Sequence, residues 1–495
     1  MLGLAGRRSA LARSKCGLPP TLSARAVVGT QSPATNARDF YSTPTNAAFR
    51  PTWMPMRVKT PWIDALTHSR DAERAGAKDA GQAAAPNVKP DLSPKKMSDS
   101  YYSAILPLAQ DKWLLDSYLN ASGNIRLGSL LMDLDALAGV IAYRHTGDSV
   151  TTVTAAVDRI TIEHPLMEIC DLELSGQVTY ATGRSSMEVS LQVAKVRSEG
   201  QAATPEDVLI TCAFTMVSLD PATKKPASVA PLLVETEEER RLFTKGEENY
   251  KAKKALRTRS LLEKAPDDEE SNLIHSMWTK EMSYLSQYPN ILPTYYILLR
   301  YQSITPPSNN PPTDPQAPAT RPENQVFMSD TVLKSAMIMQ PQDRNRHNFM
   351  IFGGFLLKQS FELAFCCAAS FAHARPNFLA LDPSTFENPV PVGSVLYLRA
   401  TVAYTEPEER DGSNRYTKVQ VRVDSKVRDV EHGTKKSTGM FNYTFLVEKD
   451  VHVMPKSYGE FMLWTDARRR ARNAAAIDPA HKMSALRSIQ DSVTE

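Results

Sequence analysis

Asn345-Arg-His-Asn-Phe-Met-Ile-Phe-Gly-Gly-Phe-Leu-Leu-Lys-Gln-Ser-Phe-Glu-Leu-Ala364 is the stretch on which the reading of this chain turns. A polar cluster, Asn345, His347 and Asn348, runs into the pair Gly353-Gly354. The pair opens a long apolar stretch that reads as a helix and carries one acid, Glu362. Glycines at a helix entrance let a ligand approach the first backbone N–H groups, and the helix dipole favours negative charge there. The segment is therefore a candidate for holding a carbonyl oxygen as it becomes an oxyanion.

A weaker copy lies upstream. Leu127 to His145 (LGSLLMDLDALAGVIAYRH) reads as a helix with a wide apolar face, entered through Gly128-Ser129. Strand-like runs follow at Val153–Ile162, around Asp158 and Arg159, then at Leu172–Tyr180, Ser186–Val196 and Leu209–Leu219. After the helix Gly353–His373 the order returns as Asn377–Phe386, Ser394–Thr405, Thr417–Val430 and Thr438–Glu448. One long helix followed by strands on short turns is an α+β unit with an antiparallel sheet. The repeated order of elements predicts two homologous units in tandem, at 99–222 and 326–450. Residues 223–325 read as a charged helical connector with a Pro-rich insertion, and 451–495 as a C-terminal tail containing the basic helix Asp466–Ala475.

The first residues read as an address. Between Met1 and Tyr41 the bases Arg7, Arg8, Arg13, Lys15, Arg25 and Arg38 face a single acid, Asp39, in a Ser-, Ala- and Thr-rich setting. That is the composition of a mitochondrial transit peptide at 1–41, directing the chain to the matrix, with a flexible linker at 42–98.

Composition narrows the chemistry. Hydrophobic content of 42% with 23% charge suits a soluble globular protein. A net charge of +3 without a basic-aromatic motif argues against a nucleic-acid partner. No apolar run approaches the roughly 20 residues of a bilayer span, so no transmembrane segment is expected. The five cysteines are odd in number and form no CxxC pair, which suits reduced thiols and neither a disulfide framework nor a zinc site. GxSxG, HExxH, GxGxxG and P-loop patterns are absent. A serine-esterase elbow, a zinc hydrolase and nucleotide-cofactor chemistry are thereby set aside, and neither metal nor cofactor is expected.

Residues 345–364 together with Phe386-Glu-Asn-Pro-Val-Pro-Val-Gly-Ser-Val-Leu-Tyr-Leu resemble the second repeat of the double-hotdog acyl-CoA thioesterases, the mitochondrial 9/10 type above all. The first repeat is similar through Arg126-Leu-Gly-Ser-Leu-Leu-Met-Asp-Leu-Asp-Ala-Leu and through Ser175-Gly and Gly183-Arg-Ser-Ser-Met-Glu-Val. Further similarity lies at Glu237-Glu-Glu, Leu242-Phe, Ser260-Leu-Leu and Pro455-Lys-Ser-Tyr-Gly-Glu, whereas 288–325 departs from the pattern. The resemblance implies two hotdogs, each an antiparallel sheet around one central helix, paired into a continuous sheet. It also implies active sites at the pairing surface, assembly into homo-oligomers such as trimers, and hydrolysis of fatty acyl-CoA to free acid and CoA.

Thioester hydrolysis needs a base for water and a holder for the oxyanion, while the thiolate leaves readily. Asp135 lies on the apolar side of its helix among Leu131, Leu134 and Ala138. A buried acid needs a reason; a hydrogen bond to a neighbouring strand would supply one, and catalysis another. The expected arrangement sets Asp135 as base across from Asn345 and His347, with Asn345 and the N–H of Gly353 or Gly354 on the carbonyl. A capping or packing role is the alternative for His347. Glu362 facing Asn124 would form a second, unequal site. Arg126, Arg144, Arg184 and Lys358 are candidates for the CoA phosphates, with a solvated surface as the alternative. Two other functions compete: acyl-thioester hydration or dehydration on the same fold, and a non-catalytic scaffold that binds acyl-CoA.

Overall fold

The computed structural model of the protein describes residues 91–162, 168–197, 204–258, 264–285, 321–345, 350–410 and 413–477. The expected transit peptide, most of the 42–98 linker and most of the 288–325 insertion lie outside the described residues, as do His347 and Asn348.

Two long helices form the centre. Helix α1 spans Leu127–Thr146 and ends at Gly147, whose φ of 71° is one that glycine adopts without strain. It buries Leu131, Leu134, Leu137, Ala138, Ile141 and Ala142 completely. The leucines and the isoleucine among them contribute about 1.5–3 kcal/mol each on leaving water. The second of these helices spans Gly353–Ala372 and stops at His373 in a left-handed conformation. Between them the connector supplies α2 (Glu237–Thr258) and α3 (Asp268–Leu285); the central helix Gly353–Ala372 is thus α4, and the C-terminal helix Tyr458–Ile477 is α5.

Twelve described strands form one sheet. The first half contributes β1 (Tyr102–Leu106), β2 (Thr151–Val157), β3 (Ile160–Ile162), β4 (Leu172–Ala181), β5 (Ser186–Lys195) and β6 (Val208–Leu219). The second contributes β7 (Leu333–Ile338), β8 (Asn377–Leu381), β9 (Ser384–Thr385), β10 (Val395–Arg410), β11 (Ser413–Arg428) and β12 (Lys435–Val447). Across the sheet the order is β7-β10-β11-β12-β8-β3-β6-β5-β4-β1, with β2 beside β6 and β9 beside β2. The pairing is antiparallel throughout. Its middle is the seam between the halves, where Leu381 faces Ile160 and Ser384 faces Val157. Outward from the seam, β6-β5-β4-β1 and β12-β11-β10-β7 repeat one order. The β10–β11 hairpin runs past the expected end at Thr405 as far as Arg410, because β11 continues to pair with it.

Period-two alternation places Leu396, Leu398, Ala400, Val419, Val421, Val423, Phe441, Tyr443 and Phe445 inside. Helix α4 packs on them, and the Phe361 ring stands 5.7 Å from Tyr443 and 5.6 Å from Phe378. This helix is long and apolar enough to cross a bilayer by length and composition, contrary to the sequence expectation. Here its apolar face is spent on β10–β12 and on α1.

The antiparallel course of α1 and α4 follows from two approaches. Gly354 reaches Met132 of α1, and Gly128, at the α1 entrance, reaches Phe361 and Glu362 of α4. Each helix therefore presents its N-terminus to the flank of the other.

Candidate active site

The chain before α4 is pinned by backbone bonds. Asn345 N–H donates to Met350 O at 2.7 Å, Phe352 N–H to Asp343 O at 3.0 Å, and Ile351 N–H to Val390 O at 2.8 Å. These contacts bring the α4 entrance down on α1. A Cβ on Gly354 would stand 2.7 Å from Met132 O and 2.9 Å from Met132 Cα, so only glycine permits the crossing. A Cβ on Gly353 would stand 3.0 Å from Asp135 Oδ2.

Asp135 is fully buried at this crossing. Thr154 Oγ1 in β2 donates to Oδ1 at 2.6 Å, and Gly354 N–H donates to Oδ2 at 2.5 Å. Burial pushes the carboxyl up to about 6, and the two donors hold it from rising further. Phe386 closes the far side of Gly353, and its ring stacks edge-on against Phe441 at 5.7 Å. Asn345 is half-buried, and its Oδ1 has no hydrogen-bond partner among the described residues.

One expected role changes here. The Gly354 N–H is engaged with Asp135, so it anchors the acid and does not stand open to a carbonyl oxygen. Gly353 is the first residue of α4, a position whose N–H has no acceptor within the helix, which makes that group the candidate donor at the helix end. Thr154 escaped the sequence reading, because a threonine in an alternating strand carries no signal of what it faces.

The α1 entrance is furnished differently. Glu362 Oε1 accepts from Arg126 Nε at 2.7 Å, and both side chains are partly exposed. The hydrogen-bond partner of Glu362 is therefore Arg126, in place of the expected Asn124. Asn124 is exposed, in a turn where Asn120 Oδ1 accepts the N–H groups of Ser122 and Asn124. Lys358 is half-buried beside this ion pair; burial and then the Arg126 charge lower its ammonium. Asp133, nearly fully buried, accepts from Tyr118 Oη, and burial raises its carboxyl well above the usual range.

Of the four basic candidates, Arg126 and Lys358 stand together. Arg144 lies exposed at the opposite end of α1, over the Tyr102 ring. Arg184 is an exposed turn residue whose carbonyl accepts from Val229 N–H at 3.0 Å, and its side chain pairs with none of these acids. Burial pushes the Cys367 thiol up to about 12 and raises those of Cys212 and Cys170, so these three are not activated.

Two donors and burial thus fix one acid at a glycine helix entrance. No family model matches the chain. It is 35% identical over 392 residues to acyl-coenzyme A thioesterase 10, mitochondrial, of Mus musculus, covering 77% of this chain and 79% of the relative. It is 35% identical over 386 residues to acyl-coenzyme A thioesterase 9, mitochondrial, of Homo sapiens, covering 76% and 78%. A solved acyl-CoA hydrolase of Staphylococcus aureus, in complex with butyryl-CoA and CoA, aligns at 22% identity with a TM-score of 0.28, covering 34% of this chain and 99% of that one. The chain belongs to the acyl-CoA thioesterase family and is an acyl-CoA thioester hydrolase.

Proposed function

We propose that Asp135 is the general base of this hydrolase and that the α4 entrance holds the oxyanion. As a carboxylate, Asp135 takes a proton from water as the water attacks the thioester carbonyl. The oxygen of that carbonyl turns negative against the Gly353 N–H and the positive end of α4, with the Asn345 amide beside it. One such donor is typically worth about 3 kcal/mol to the transition state. Collapse of the tetrahedral intermediate expels the CoA thiolate, and the proton on Asp135 is available to it. The route uses side chains, backbone and water, with no metal or cofactor. The observation that carries the reading is the double clamp on Asp135 by Thr154 and Gly354, which joins an acid of one half to the helix entrance of the other.

The repeated strand order on either side of the seam supports two tandem hotdog units, with the substrate taken up between them. Arg126, about 13 Å from Asp135 along α1, and Lys358 beside it are the groups suited to CoA phosphates. Glu362, already paired with Arg126, belongs to a second and weaker entrance. The mitochondrial names of the relatives and the basic N-terminal segment support import into mitochondria, with fatty acyl-CoA of the matrix as substrate and a homo-oligomer as the working form. The test is release of free thiol from acyl-CoA of graded chain length by the wild type and by Asp135→Asn. Turnover by the wild type that Asp135→Asn abolishes supports the mechanism. Binding of acyl-CoA without turnover by the wild type refutes it.

A further inference from the structure

A second buried acid lies away from the helix entrances. Asp382 occupies the turn between β8 and β9 and is 5% exposed. Its Oδ2 stands 3.5 Å from Arg470 Nε of α5, and its Oδ1 stands 4.0 Å from Arg159 Nη1 in the turn between β2 and β3. Arg470 also pairs with Asp466. Helix α5 is tied on its other flank to α3, where Arg469 meets Glu270 at 2.6 Å and Arg468 and Arg472 meet Glu269 at 2.7 Å. Charge thus joins the C-terminal helix to the seam between the halves.

The strands leaving those two turns build the walls of the Asp135 site. β9 pairs with β2, Ser384 on Val157 and Thr385 on Ala156, and Phe386 N–H donates to Ala155 O at 2.9 Å. The next residue back along β2 is Thr154, which holds Asp135 Oδ1. Phe386 itself abuts Gly353, its Cζ 3.6 Å from where a Cβ would be. One register, β9 on β2, therefore sets both the donor and the aromatic wall around the acid.

We infer that Arg470 is a positioning residue for the hydrolysis: through Asp382 and Arg159 it fixes β9 against β2, and so fixes Thr154 and Phe386 around Asp135. The inference rests on the reading of Asp135 as base. Removing Arg470 leaves Asp382 buried with only the more distant Arg159, and an uncompensated buried charge reorganises its surroundings. A small displacement at a reacting centre is costly; about a tenfold loss of kcat is expected here.

The experiment uses the full chain with a medium-chain acyl-CoA and measures kcat, KM, the acid limb of the pH–rate profile and the thermal midpoint. Arg470→Met should lower kcat about tenfold with little change in KM. Its acid limb should move upward, because a loosened Thr154 no longer restrains the Asp135 carboxyl. Arg470→Lys, which keeps the charge, should restore part of the loss. Asp382→Asn repeats the test from the other partner, and serves if Arg470→Met does not fold. A folded variant with lowered midpoint but wild-type kcat and acid limb overturns the inference, leaving Arg470 a purely structural contact. Asp135→Asn separates the two ideas. Its inactivity alongside an unaffected Arg470→Met sinks only the positioning role, whereas its full activity sinks the assignment of the base.

Discussion

Replacing Asp135 by Asn should cost activity and return stability, and the second effect should depend on pH. The Asp135 carboxyl ordinarily titrates near 3.8, and burial at the α4 crossing brings it to about 6. The acid is easier to protonate folded than unfolded, so the native state binds the extra proton between these two values. Below the unfolded value the group costs folding nothing. As pH rises through the window from about 4 to about 6 the native state is progressively penalised, and above it the penalty is complete. A shift of about two units corresponds to about 3 kcal/mol. Asp135→Asn has no such titration. The stability difference, mutant minus wild type, should therefore be about 2–2.5 kcal/mol more favourable to the mutant at pH 7 than at pH 4, where part of the penalty is already present. Any fixed loss from the altered bonds to Thr154 and Gly354 cancels in that comparison. Urea unfolding of both proteins across this range measures it, and thiol release from acyl-CoA measures the activity, expected to fall by about 10²–10⁴. A stability difference that stays constant from pH 4 to pH 7 would show that the acid is not held in a desolvated site. Hydrolysis that survives the substitution would remove Asp135 from the mechanism.

Thr154→Val removes the 2.6 Å bond to Asp135 Oδ1; losing a donor to a charged group, worth about 1.5–3 kcal/mol, should move the acid limb of kcat/KM upward by about one to two pH units, and a pH–rate profile checks it. Gly354→Ala drives a Cβ to 2.7 Å from Met132 O, a backbone atom that cannot swing aside; a loss of about 1–3 kcal/mol in stability, together with reduced kcat, should appear in thermal melts and in the hydrolysis assay. Asn124→Ala changes an exposed turn side chain, so activity should match the wild type; a large fall would reinstate Asn124 in a site.

The sequence by itself determined much of the architecture, because helix and strand periodicities are local. A 3.6-residue period with glycines ahead of it is written into Leu127–His145 and Gly353–His373, and period two into the strands, so both central helices and the main strands were legible, as was the family. Asp135 stood out for a similar reason: a charge on an apolar helix face is visible from its neighbours alone. Partnership between distant positions is not local. Thr154 and Gly354 meet Asp135 only because β2 and the α4 entrance converge on α1, and no spacing in the chain encodes that convergence. Nor did residue type show that the Gly354 N–H would be taken by the acid, or that Arg126 would meet Glu362. The tertiary structure decided these because burial, hydrogen bonding and charge pairing depend on which surfaces meet. The 2.7 Å approach open at Gly354 lets the two central helices cross that closely, and it is this crossing that brings a carboxyl of one half against the helix end of the other.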